Sequence, residues 1–189
     1  MHNSSPKEIQ SQKTWDDYFI DIMHATSARS KDPNTKVGAV IVDQDNKIVG
    51  MGYNGFPPGV KDYEERWDGK ETDGSKTKYK YVVHAEMNAI FNSFKPVSGC
   101  RVYIPFWPCS DCAKHMAAAG ISEIIIEDTE YYDRPLTRQI LIEAGITVRD
   151  VKKNYIISKD ATWCMNCGVT RAAVTNSLGQ SQCRKCGGY

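Results

Sequence analysis

The sequence predicts an α/β fold with a largely parallel sheet covered by helices, and three observations carry that prediction. From His84 onward the pattern alternates: helix over His84 to Phe94, strand over Arg101 to Ile104, helix over Cys109 to Ala119, strand over Glu123 to Glu127, helix over Pro135 to Ala144, strand over Ile146 to Val151. Strands joined through helices make crossovers, and crossovers make parallel pairs. Val37 to Val42 is almost wholly apolar, the composition of a strand buried on both faces. Gly120 and Gly145 follow two of the helices where a left-handed C-cap belongs.

The elements follow in order. Residues 1–13 are polar and read as a flexible tail. Thr14 precedes Trp15-Asp16-Asp17, offering a capping oxygen and two acids to answer the helix dipole. Trp15, Phe19, Ile22, Met23 and Thr26 then recur at helical spacing, to about Ser30. Val37 to Val42 and Lys47 to Tyr53 flank the turn-rich Asp43-Gln44-Asp45-Asn46 and form a hairpin. Asn54 to Tyr81 is a long insertion dense in Gly, Pro, Lys, Glu and Asp, without a clear period; loops of this length are functional or mobile.

At 189 residues, with 41% hydrophobic and 25% charged, the chain suits one main domain over 14–153 and a small linker and appendage over 154–189. A formal net charge of +1 gives no global attraction for nucleic acid or membrane. No apolar run nears the roughly 20 residues that span a bilayer, and the N-terminus lacks the apolar stretch of a secretory signal. A cytoplasmic location is therefore expected.

Seven cysteines in such a chain point to thiols and metal rather than a disulfide framework. Six fall in Cys-x-x-Cys pairs: Cys109 with Cys112, Cys164 with Cys167, Cys183 with Cys186. Cys100 sits in a strand pattern and reads as a buried small hydrophobe.

The stretch Val83-His84-Ala85-Glu86 acquires its meaning from Pro108-Cys109-Ser110-Asp111-Cys112. His84, Cys109 and Cys112 make three zinc ligands and leave a fourth position open, the arrangement of catalytic zinc. Glu86 is then placed to carry protons. Both segments open helices, where the macrodipole favours thiolate over thiol, and Trp107 and Pro108 could wall a pocket. His115 or Cys100 as a fourth ligand would instead close the site and make it structural.

The other four cysteines, in Cys164-Met165-Asn166-Cys167-Gly168 and Cys183-Arg184-Lys185-Cys186-Gly187, fit a four-cysteine zinc ribbon whose filled shell makes its zinc structural. So short an appendage buries little core, and metal is the usual remedy.

His-x-Glu followed by Pro-Cys-x-x-Cys is the signature of zinc nucleobase deaminases. Beyond it, the runs from Ala28 to Ala39, from Gly52 to Gly59, from His84 to Ile90 and from Pro108 to Lys114 closely resemble the deoxycytidylate deaminases. The resemblance covers about residues 14 to 153. Nucleoside cytidine deaminases generally use a cysteine where His84 stands, and transfer-RNA adenosine deaminases differ around the cysteine pair.

The resemblance implies a three-layer α/β/α fold with a five-stranded mixed sheet, a homo-oligomer, often a hexamer, and conversion of dCMP to dUMP for thymidylate synthesis. With zinc on His84, Cys109 and Cys112, Glu86 would take a proton from the attacking water and protonate the cytosine ring nitrogen. For the substrate it implies Arg29, Ser30 and Lys31 as phosphate donors, Asn54 on the deoxyribose hydroxyl, and Ala85 and Tyr132 beside the base or phosphate. Gly52, Tyr53, Asn54, Gly55, Pro57 and Gly59 match the stretch tied to activation by dCTP and inhibition by dTTP. A second expectation, a deaminase of single-stranded DNA or RNA gripping its substrate through the ribbon, rests on the basic residues Arg171, Arg184 and Lys185.

Overall fold

The computed structural model describes residues 13–68, 78–128, 135–152, 155–157, 174–175 and 181–182. Helix α1, Trp15–Ser27, begins at Thr14, whose hydroxyl accepts the amide of Asp17 as its sequence position requires. It stops earlier than the spacing suggested, because Ser27 Oγ bonds back to His24 O and the chain turns away through Ser30.

Strands β1, Gly38–Val42, and β2, Ile48–Tyr53, form the hairpin. Its turn is held by Asp43, whose Oδ1 accepts the amides of Asp45 and Lys47, while Asn46 takes a positive φ of 60°. The insertion after β2, which shows no clear period in sequence, holds short helices among its described residues. They are a 3-10 helix, Glu64–Trp67, and a four-residue helix α2, Lys78–Tyr81. An aromatic cluster organises them: Phe56 stacks on Trp67 at 4.3 Å, and the Arg66 guanidinium sits between the rings of Tyr63 and Tyr81.

Helix α3, Ala85–Phe91, strand β3, Arg101–Phe106, helix α4, Ser110–Ala118, strand β4, Glu123–Asp128, helix α5, Pro135–Glu143, and strand β5, Thr147–Asp150, follow in the predicted alternation. Gly120 and Gly145 take φ of 80° and 75°, the left-handed C-caps expected of them.

The sheet runs β2-β1-β3-β4-β5-β6, with the short strand β6, Tyr155–Ile157, added at the edge. It is mixed. The pairs β3/β4 and β4/β5 are parallel, whereas β1 is antiparallel to both β2 and β3, and β6 to β5. The largely parallel reading is corrected here for a simple reason: a tight hairpin inserts β1 between β2 and β3, so α3 crosses over an antiparallel neighbour. β6 also carries the sheet beyond Lys153, where the main domain was expected to end.

Alternating residues build two cores, as the period of a strand requires. Ala39, Ile41, Val102, Ile104, Ile124 and Ile126 face α3, α4 and α5, whereas Val40, Val42, Tyr103 and Ile125 meet Phe19 and Met23 of α1. This is a three-layer α/β/α sandwich. A last antiparallel pair, β7, Val174–Thr175, with β8, Ser181–Gln182, lies in the appendage. Among the described residues no helix is long and apolar enough to cross a membrane.

Candidate active site

Two helix starts create the site. His84 is the N-cap of α3 and Cys109 the N-cap of α4, both with extended backbone that turns the side chain off the helix axis. Cys112 lies one turn into α4, and its amide donates to Cys109 Sγ at 3.4 Å. His84 Nδ1 stands 3.4 Å from Cys109 Sγ and 3.3 Å from Cys112 Sγ. A tetrahedral zinc with sulfur at about 2.3 Å and nitrogen at about 2.0 Å separates such ligands by roughly 3.5 Å. The donor set therefore fits zinc in chemistry and in spacing.

The two thiols divide the burden of ionisation. The Cys109 thiol is brought down to about 4 by its hydrogen bonds with Cys112 and His84, which outweigh burial. The bond with Cys109, and burial, push Cys112 the other way. Among the described residues the cluster has these three donors alone, so the closed alternatives do not form. His115 Nδ1 lies 2.5 Å from the carbonyl of Asp111, and Cys100 is buried in the core.

Glu86, on the first turn of α3, is 6% exposed and lines a cleft of about 720 Å³, counting space open to solvent, together with His84, Ala85 and Cys109. Burial is the main influence on its carboxyl and pushes it upward. Phe106 and Trp107 wall the cleft, and the Arg138 guanidinium lies 4.9 Å from the Trp107 ring.

The rest of the cleft lining was only partly foreseen. Asn54 is there, buried, with Nδ2 donating to Thr35 O at 2.9 Å and Asp32 Oδ2 at 3.2 Å, and Oδ1 accepting the Val37 amide at 2.8 Å. Asp32, named earlier only as part of the Ala28 to Ala39 run, and Lys78, which no motif singled out, line the same cleft as a buried ion pair at 2.9 Å. Asp32-Pro33-Asn34-Thr35 is a turn signal, and the carboxylate does accept the Asn34 and Thr35 amides; nothing in Lys78-Tyr79-Lys80-Tyr81 marks its first lysine.

The expected phosphate donors Arg29, Ser30 and Lys31 do not line this cleft. Ser30 is buried, donating to Asn54 O and accepting the Asp32 amide, so it braces two residues that line the cleft. Lys31 pairs with Asp62 at 2.6 Å, and Arg29 is exposed. Tyr132 and the four cysteines Cys164, Cys167, Cys183 and Cys186 lie outside the described residues.

The Gly52 to Gly59 stretch has a structural task. Gly55 and Val83 exchange backbone hydrogen bonds at 2.8 and 3.1 Å, and Asn88 Nδ2 donates to Tyr53 O at 2.8 Å. The end of β2 is thereby tied to the residue preceding His84.

The profile of the "Cytidine and deoxycytidylate deaminase zinc-binding region" matches residues 13–128. The deoxycytidylate deaminase of Homo sapiens is 41% identical over 153 residues, covering 79% of this chain and 86% of that protein. That of Mus musculus is 40% identical over 159 residues, covering 82% of this chain and 89% of that one. The crystal structure of dCMP deaminase from the cyanophage S-TIM5 in its apo form superposes with a TM-score of 0.58 at 24% identity, covering 72% of this chain and 96% of the phage chain. With the His-x-Glu and Cys-x-x-Cys segments meeting in one cleft, the chain belongs to the cytidine and deoxycytidylate deaminase zinc-binding family.

Proposed function

We propose that this chain deaminates dCMP hydrolytically, giving dUMP and ammonia. One observation carries the reading: Glu86 shares a cleft with a three-donor metal cluster. Similarity to the human and mouse deoxycytidylate deaminases selects the substrate.

His84, Cys109 and Cys112 would hold zinc, which when bound supplies a Lewis acid that lowers the pKa of water to about 7. Glu86 accepts a proton from the attacking water and delivers it to the ring nitrogen beside the amino-bearing carbon. After attack at that carbon, the same carboxylate takes the remaining proton of the added hydroxyl and passes it to the amino group, which leaves as ammonia as the C–N bond breaks and the carbonyl forms. Its burial suits this exchange, because a carboxyl raised above its ordinary range gives and takes a proton more evenly near neutral pH. Asn54 and Ala85 shape the sugar and base side of the cleft, and Trp107 excludes water from its wall.

The nucleotide effectors dCTP, activating, and dTTP, inhibiting, belong to this reading. The Gly55–Val83 bridge gives the Gly52 to Gly59 stretch a direct mechanical route to His84. A homo-oligomer, a hexamer at full assembly, fits the exposed Phe91 and Phe94 at the end of α3. A structural zinc on the appendage cysteines is supported by the β7/β8 pair lying between the two Cys-x-x-Cys segments. A cytoplasmic enzyme completes the proposal.

Ammonia release is measured on dCMP, deoxycytidine, dCTP and a single-stranded cytosine oligonucleotide in parallel, and on dCMP with dCTP or dTTP added. Selective turnover of dCMP is expected, faster with dCTP and slower with dTTP. Turnover of the oligonucleotide alone would overturn the reading and make the appendage a nucleic-acid grip.

A further inference from the structure

We propose that Lys78 is the cleft's phosphate-reading residue, the side chain that makes a nucleoside monophosphate a better substrate than the free nucleoside. The proposal rests on the dCMP reading and adds to it the source of the phosphate's countercharge.

One cleft is lined by His84 and Cys109 of the donor cluster, by the buried carboxyl of Glu86, and by Lys78 and Asp32. Among the described residues lining it, Lys78 is the only side chain other than His84 that can bring positive charge, and His84 is committed to the metal cluster. Among the described lining residues a dianionic group entering here has no other cation to meet. Arg29 and Lys31, the basic residues nearest in sequence to Asp32, do not line the cleft, and Lys31 is held by Asp62.

The geometry leaves Lys78 able to bind a ligand. Its ammonium has three donors, and its hydrogen-bonding partner is one carboxylate, with Asp32 Oδ1 at 3.2 Å and Oδ2 at 2.9 Å. Asp32 in turn does not depend on Lys78 alone. It also accepts the amides of Asn34 and Thr35 and the Asn54 side chain, at 2.9, 3.1 and 3.2 Å. The carboxylate thus keeps three donors when the ammonium is shared with an incoming phosphate.

The insertion delivers this ammonium to the cleft. Tyr81, on the same short helix as Lys78, packs against Phe56 at 5.6 Å and against Arg66, while the Lys78 amide donates to Asp68 O. Lys78 reaches the cleft only 8% exposed, and an ammonium so placed is worth most to a charged partner that displaces the remaining water.

The test compares kcat/KM for dCMP with that for deoxycytidine in the parent and three full-length, zinc-loaded variants. Lys78→Gln removes the charge. Lys78→Arg keeps it. Asp32→Asn with Lys78→Gln removes both charges while leaving an amide bridge, so that no buried carboxylate is stranded if the single variant folds poorly. Losing a hydrogen bond to a charged group predicts that the dCMP-to-deoxycytidine ratio falls about 10- to 100-fold in Lys78→Gln and in the double variant. Lys78→Arg keeps most of the preference. A structural role would lower both substrates together and leave the ratio in place, and that result overturns the proposal. A parent that turns over dCMP no better than deoxycytidine also overturns it while leaving deamination standing. A parent inactive on both sinks the reading on which it rests.

Discussion

Gly52 of β2 and Ala89 of α3 approach so closely that a Cβ added to the glycine would stand 2.2 Å from the Ala89 backbone nitrogen. The same Cβ would meet Ala85 O at 2.4 Å and the Asn88 carbonyl carbon at 2.6 Å. All three atoms are helix backbone, so no side chain can rotate out of the way. The helix carrying His84 and Glu86 is seated on the sheet by the absence of one methyl group.

Gly52→Ala must therefore push α3 outward. Overpacking of this kind costs about 1–3 kcal/mol, which lowers the melting temperature by several degrees. Because α3 presents Glu86, kcat should fall at least about tenfold, since small misplacements of reacting groups are costly. Thermal melts with steady-state kinetics check both. Unchanged activity would show that the close approach does not set the position of Glu86.

This contact also shows what the sequence could reveal. The Gly52 to Gly59 stretch was legible as special, but its glycine pattern does not distinguish an effector site from a tight strand-to-helix seat. The metal cluster was legible because three ligands of two types at two helix starts leave little freedom. The buried Asp32–Lys78 pair was not, because its partners lie far apart in the chain and, although Asp32 falls in the Ala28 to Ala39 run, nothing marks Lys78 as its partner. Lys78 is brought to the cleft by a segment held through the aromatic packing of Phe56, Trp67 and Tyr81, which has no periodic signal. The alternation of helices and strands was readable, yet the antiparallel insertion of β1 was not, because strand order is decided by pairing across the sheet.

Glu86→Gln keeps the volume of the side chain and removes its basicity. The variant should bind zinc as the parent does, because Glu86 is not among the three clustered donors. Its turnover of dCMP should fall by about 10²–10⁴. Metal content by atomic absorption, measured beside ammonia release, separates proton transfer from loss of metal.

Cys112→Ser replaces a buried thiol, which would bind zinc as the thiolate, with a hydroxyl that does not ionise near neutral pH. Zinc at this site and activity should be lost together, and added zinc should not restore the variant. The parent stripped by a chelator should recover its activity when zinc is returned. Retained zinc affinity in Cys112→Ser would remove Cys112 from the ligand set.

Acid should destabilise the fold through three carboxylates. Burial raises Asp16, but hydrogen bonds from Arg149 and Tyr103 outweigh it and leave the pKa below 3.8. Burial likewise raises Asp32 and is outweighed by Lys78 and the Asn34 and Thr35 amides. The hydrogen bond from Lys95 brings Asp43 down to about 2. Carboxylates depressed in the folded state add stability that is fully present above their unfolded pKa and is lost as pH falls through the folded values. The melting temperature should hold as pH falls toward about 4, then drop toward pH 2, the value about which Asp43 titrates. In Arg149→Met the burial of Asp16 is no longer opposed by its main partner, so the decline should begin at higher pH.

The appendage gives the last prediction. If Cys164, Cys167, Cys183 and Cys186 hold a second zinc, the full chain carries two metal equivalents of different character. The open His84 site exchanges and is needed for turnover; a shell of four thiolates is closed and supports local folding. Replacing Cys164 and Cys183 with serine should therefore remove one equivalent and leave the other, with dCMP turnover per remaining zinc largely kept. Native mass spectrometry counts the equivalents, and a limited-proteolysis digest shows whether cleavage after residue 157 increases in the variant. One equivalent in the parent would mean that the four cysteines bind no zinc. Two equivalents in the serine variant would place the second metal elsewhere in the chain.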